Sequence, residues 1–132
     1  MITGARFPRE ARLLQPDDFL RAMKTRAFRG KYLWVYRRAV ENAERPQLGL
    51  MIGKKNARNA VLRNAIKRRV REQFRLRQVG LPTVQYVVRL STSVKIVDVP
   101  TVIAEWVQSL EHDVAKLRKS VASQAASTVA HT

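Results

Sequence analysis

Between Lys54 and Arg77 the chain reads KKNARNAVLRNAIKRRVREQFRLR, with ten Lys or Arg in 24 residues and one acid, Glu72. No Gly or Pro interrupts the stretch, and its residues favour a helix. At 100° per residue, Leu62, Ile66, Val70 and Phe74 fall within an arc of about 120°, whereas Arg63, Asn64, Lys67, Arg68, Arg71 and Arg75 occupy about 100° to 240°. A helix from Asn59 to Arg77 would be about 28 Å long, apolar on one side and basic on the other. A solvated helix face normally mixes signs, with Glu placed to pair Lys four residues on. Here Arg63, Lys67, Arg71 and Arg75 stand four apart and repel, an arrangement that a polyanion relieves. A nucleic acid or an anionic membrane fits that face.

The whole chain points the same way. It has 132 residues, a formal charge of +16 and a pI near 11.5. Nucleic acid is the commonest partner of such a chain, because phosphate contacts release counterions and supply most of the affinity. An apolar content of 45% supports one folded domain with one core. Cysteine is absent, which excludes disulfides, thiolate metal sites and a cysteine nucleophile. No apolar run reaches the roughly 18–20 residues of a membrane span, and MITGARFPREARLL has no apolar core of signal-peptide length. The expectation is a soluble, cytoplasmic protein.

Around the basic stretch the pattern alternates strand and helix. Residues 1–15 read as basic and mostly irregular. Pro16-Asp17-Asp18 opens a helix expected to run to Lys24, with acids where the dipole favours them. Phe19, Leu20 and Met23 share one side of it, serving either a core or one wall of a groove. Lys31–Val40 is rich in aromatic and β-branched residues and reads as a strand. Tyr32, Trp34 and Tyr36 project to one face, Leu33 and Val35 to the other. Gln47–Gly53 reads as a second strand, expected to pair with the first as an antiparallel hairpin. Gly80-Leu81-Pro82 stops the basic helix. Gln85–Leu90 is a third strand, expected to lie parallel to the second across a βαβ unit. Asp98 is placed to cap a last helix over Val99–Lys119. Its apolar stripe includes Val102, Ile103, Trp106 and Leu110 and should cover one sheet face. Residues 120–132 are small and polar and are expected to form a disordered tail behind a single domain, residues 1–119.

Catalytic constellations are missing from this pattern. His112 lies on the presumed polar face of the last helix and His131 in the tail. The acids are scattered, and no Gly-rich loop opens a helix at P-loop spacing. What is present is a basic helix beside aromatic strands, a combination that RNA-binding folds use for phosphates and unpaired bases. Asn64, amid Arg63, Lys67 and Arg68, is either solvated or hydrogen-bonded, to RNA or to a backbone that orders the helix.

The run Arg63-Asn64-Ala65-Ile66-Lys67-Arg68-Arg69-Val70-Arg71 resembles the RNR helix of the bacterial ribonuclease P protein subunit family. Gly49-Leu50-Met51-Ile52-Gly53-Lys54-Lys55 leads into it as in that family. Phe7-Pro8-Arg9-Glu10, Arg12-Leu13-Leu14 and Asp18-Phe19 add support, so the likeness covers about residues 6–118. Two positions depart from it: Ala65 stands where the family has the second Arg of the motif, and Ala57 replaces a larger apolar residue, which should loosen the helix entry.

The resemblance implies an α+β fold, an α/β sandwich. Its small, mostly antiparallel sheet would carry one parallel βαβ crossover, left-handed, through the basic helix. It implies no catalytic residue in this chain, which would be the protein component of an endoribonuclease whose RNA subunit carries the chemistry. Mg2+ would be bound mainly by that RNA, with none bound by this chain alone, and no other protein would be required. Lys54, Lys55, Arg58, Arg63, Asn64, Lys67, Arg68, Arg71 and Arg75 would face the catalytic RNA. A cleft carrying Phe19, Met23, Tyr32, Trp34 and Val35 would receive the single-stranded 5′ leader of precursor tRNA. Which face of the Lys31–Val40 strand lines that cleft stays open at this point. The competing expectations are a non-catalytic ribosomal or general RNA-binding protein, and a protein-only nuclease, which the missing acidic cluster disfavours.

Overall fold

A computed structural model describes residues 15–41 and 43–130. In chain order they form α1 (Pro16–Ala22), β1 (Ala27–Arg29), β2 (Leu33–Ala39), β3 (Gln47–Met51), α2 (Ala60–Arg77), β4 (Val84–Leu90) and α3 (Val99–Ala130). Short 3-10 turns at Gln78–Gly80 and Ile96–Asp98 precede β4 and α3. The expected N-terminal irregular segment, with Phe7–Glu10 and Arg12–Leu14 of the family likeness, lies outside the described residues.

The four strands make one sheet in the order β1-β2-β4-β3. β1 and β2 pair antiparallel, as do β2 and β4, while β3 and β4 run parallel across α2. The expected hairpin between β2 and β3 does not form, because β4 lies between them. The reason is in β4 itself: Gln85, Tyr86, Val87, Val88 and Leu90 are all buried, so both its faces are covered and both its edges are paired. β1 is an addition to the expected elements, three residues long and too short to carry a pattern.

α1 begins one residue earlier than expected, with Pro16 in its first turn, and ends at Ala22. Asp98 does precede α3, but its carboxylate turns back. It accepts from the Lys95 N–H at 2.9 Å and the Tyr32 hydroxyl at 3.2 Å, closing the 3-10 turn rather than capping the helix. α3 continues to Ala130, so the segment expected as a disordered tail is helical to that residue. The alanines of residues 120–130 favour helix, and no Gly or Pro falls among them. His131 and Thr132 lie outside the described residues.

Two helices cover one face of the sheet and one short helix covers part of the other. Leu33, Val35, Leu48, Tyr86, Val88 and Leu90 pack with Leu62, Ile66, Val70 and Phe74 of α2 and with Val102, Ile103, Trp106 and Leu110 of α3. Trp106 is fully buried, and its indole N–H donates to the Val70 carbonyl at 2.9 Å. Tyr86 sits edge-on between Phe74 and Trp106, at centroid distances of 5.9 and 6.0 Å. Its hydroxyl donates to Asp113 at 2.7 Å, and Arg37 bonds Asp113 and Ser109. Burial first, then the Asp113 carboxylate, holds the Tyr86 phenol above its ordinary range. On the opposite face Ala22, Tyr36 and Val87 form a smaller cluster with Phe19, Met23, Ala27 and Trp34.

Candidate nucleic-acid interface

The apolar spine of α2 dictates where its charges go. Ile66, Val70 and Phe74 are fully buried and Leu62 nearly so, which turns the opposite arc to solvent. Lys54, Lys55, Arg58, Asn64 and Arg68 are exposed, while Arg63, Lys67, Arg71 and Arg75 are half-buried. All nine expected contact residues thus lie on α2 or the loop that leads into it.

That loop is built, not merely tethered. Asn59 caps α2, its side-chain oxygen accepting the Val61 N–H at 2.7 Å. Asn56 donates its side-chain amide to the Leu90 carbonyl at 3.0 Å, and the Val94 N–H donates to the Asn56 carbonyl at 2.8 Å. Arg63 folds back to donate to the carbonyls of Ala57 and Arg58 at 2.8 and 2.9 Å. One expected RNA contact therefore also holds the loop. Ala57, expected to loosen this entry, is fully buried in the core, and its N–H donates to the Gly53 carbonyl at 3.0 Å. The helix-ordering hydrogen bond considered for Asn64 is made by Asn59 instead.

Glu72, the one acid on α2, is held by Arg75 at 2.5 Å. The hydrogen bond from Arg75 lowers the Glu72 carboxyl below its ordinary range. Arg77 leaves the basic arc altogether and bonds Glu111 of α3 at 2.6 Å.

The second sheet face is chemically different. Residues paired in register share a face, and here three rows cross the sheet: Ala27, Tyr36, Val87, Gly49; Arg29, Trp34, Arg89, Met51; and Arg38, Gln85, Gln47. α1 sets Phe19, Ala22 and Met23 against the first row. In the third, Arg38 bonds Asp18 at 3.2 Å and Gln85 at 2.8 Å, and Gln85 bonds Gln47 at 2.9 Å. Phe19, Met23 and Trp34 of the expected cleft are therefore brought together.

Val35 and Tyr32 are not. Val35 is fully buried on the α2 and α3 face, as strand alternation requires once Trp34 faces the other way. Tyr32 precedes β2 in a turn bound to α3 and packs against the main core. Sequence reasoning missed Arg29, Arg89 and Met51. Period-two alternation from Val87 is consistent with Arg89 on this face, but nothing in the chain announces the register that sets it beside Trp34.

Among the described residues no group of three or more His, Asp or Glu is placed to hold a metal ion. No described helix is long and apolar enough to cross a membrane.

Known proteins resemble this chain in sequence and in fold. The family described as Ribonuclease P matches residues 7–113. A Ribonuclease P protein component of Chromobacterium violaceum is 41% identical over 92 residues, covering 70% of this chain and 76% of that protein. That of Ralstonia pickettii is 44% identical over 100 residues, covering 74% and 70%. Among solved structures, the RNase P protein of Staphylococcus aureus aligns with a TM-score of 0.62 at 26% identity, covering 80% of this chain and 93% of that one. The RNase P protein of Thermotoga maritima aligns at 0.60 and 25%, covering 76% and 96%. The α+β fold, the basic helix and these likenesses agree: the chain belongs to the ribonuclease P protein family, the protein part of an RNA-based, tRNA-processing endoribonuclease.

Proposed function

We propose that α2 and the loop before it dock on the catalytic RNA of the holoenzyme, and that the second sheet face receives the 5′ leader of precursor tRNA. The holoenzyme then cleaves the leader endonucleolytically to make the mature 5′ end. The observation that carries this reading is the separation of two cationic surfaces by one sheet. One is a dense strip of charge on a helix; the other combines arginines with Phe19, Met23 and Trp34 beside a short helix. A strip of like charge suits the regular backbone of a folded RNA, whereas a face that mixes aromatic rings with cations suits an unpaired strand. The chain's residues bind and orient; the divalent cations sit on RNA phosphates. Residues 1–119 act as one RNA-binding domain, in the cytoplasm, with no further protein needed.

Precursor tRNA cleavage at low Mg2+, with catalytic RNA alone, protein alone and both, tests the proposal. Stimulation with both is expected. Cleavage by the protein alone would overturn the mechanism, and no stimulation would favour a general RNA-binding protein.

A further inference from the structure

In the open row of the second sheet face, Arg29 of β1 stands beside Trp34 of β2, and Trp34 beside Arg89 of β4. Both guanidinium groups go to the same ring. The Arg29 Cζ lies 4.5 Å from the Trp34 centroid and the Arg89 Cζ 5.4 Å, reached from the two strands that flank β2. Arg89 also donates to the Tyr36 hydroxyl at 3.4 Å. The ion pairs among the described residues join Arg37 to Asp113, Arg38 to Asp18, Arg75 to Glu72 and Arg77 to Glu111. Neither Arg29 nor Arg89 takes part, although Arg29 is exposed and Arg89 half-buried.

The turn that carries Arg29 is fixed in advance. Glu105 of α3 accepts the backbone N–H groups of Lys31, Tyr32 and Leu33 at 3.1, 3.0 and 3.1 Å. The carboxylate packs so closely under the turn that a Cβ on Gly30 would lie 2.3 Å from its Oε1. Arg29 therefore leaves a rigid turn, and its position needs little ordering when a ligand arrives.

A ring engaged by two cations is a poor platform for a nucleobase, since a base must displace a guanidinium and forfeit a cation–π contact to stack there. A phosphate displaces nothing. The N–H groups of a guanidinium project in its own plane, so an arginine resting on a ring can still offer a two-pronged bond to a phosphate. We propose that Trp34 is the seat of a clamp formed by Arg29 and Arg89, which takes backbone phosphates of the single-stranded leader and leaves the base at that point unread. This rests on the second sheet face being the leader site.

The test uses reconstituted holoenzyme and precursor tRNAs with altered leaders. Replacing single leader linkages with uncharged methylphosphonates should weaken binding at one or two adjacent positions. Removing the bases at those positions should leave affinity nearly unchanged, against the about 5- to 150-fold that losing a stacked base costs. Arg29→Ala and Arg89→Ala should each make the salt dependence of leader-dependent binding shallower by about 0.7 per lost contact. Trp34→Leu should lower it as well by unseating both arginines, and Trp34→Phe should restore it. Abasic losses of stacking size overturn the clamp, with or without methylphosphonate losses, and so does indifference to both alterations. If the unaltered protein binds leader-containing and leaderless tRNA equally, the leader site itself is wrong. The altered leaders are read on the unaltered protein, so they decide the matter even where a variant fails to fold. Each variant's affinity for catalytic RNA reports its folding.

Discussion

The two surfaces on either side of the sheet solve the problem of concentrated positive charge differently. On α2 the charges are crowded at four-residue spacing and the only acid on the helix engages one of them, Arg75. The strip stays in place because the helix beneath it is locked by four buried apolar residues and by the Trp106 hydrogen bond. On the second sheet face the charges are individually seated. Arg38 has Asp18, and Arg29 and Arg89 have the Trp34 ring. The comparison teaches that repulsive charge needs a deep core under it, whereas a seated charge can stand on a half-covered sheet.

Removing the core under α2 should break this contrast most severely. Trp106→Ala should cost about 3–5 kcal/mol of stability by chemical denaturation, as large aromatic truncations in cores do. Binding of catalytic RNA and of leader should fall together; loss of one alone would mean that the surfaces do not share a support.

Phe19→Ala should separate the surfaces. Affinity for precursor tRNA should drop by about 1–3 kcal/mol more than affinity for leaderless tRNA, with catalytic-RNA binding unchanged. Equal losses for both tRNAs would make Phe19 plain packing for α1.

Arg68→Ala should do the converse. The salt dependence of catalytic-RNA binding should become shallower by about 0.9 for one lost phosphate contact on a helical RNA, with leader discrimination retained. An unchanged slope removes Arg68 from the interface.

The smallest effect is expected at Glu72. The Arg75 hydrogen bond lowers its carboxyl from the ordinary value of 4.5. Its small contribution to stability is therefore present above that value and fades as the pH falls through the lowered one. Glu72→Gln should flatten that acid limb and release Arg75, giving slightly tighter RNA binding at low salt. Weaker binding would show that the pair positions Arg75 for RNA.

α2 was legible because a 3.6-residue period over five turns leaves little choice, and because Asn59 supplies a cap at its expected start. The parallel β3–β4 relation was legible too, as the helix between the strands leaves room for a crossover. Sheet order was not. A hairpin of β2 and β3 is the local solution, and it loses because β4 is buried on both faces and pairs along both edges at the centre. The second face was half legible. Alternation separated Trp34 from Val35, but which of them faced the core depended on where α1 and α2 came to lie. Tyr32 has the right parity for the Trp34 face, yet Glu105 and Asp98 hold it in the preceding turn. Arg29 was hidden by the brevity of β1.

The central place of β4 has a consequence for how the chain is made. β2 and β3 share no hydrogen bonds, so no sheet can join them until residues 84–90 have been synthesised. The Trp106 indole that bonds the middle of α2 follows later still. At translation rates of about 5–20 residues per second, the most basic segment emerges seconds before the elements that will anchor it. In that interval it is a cationic peptide without a scaffold, and its first encounters with RNA are governed by charge alone.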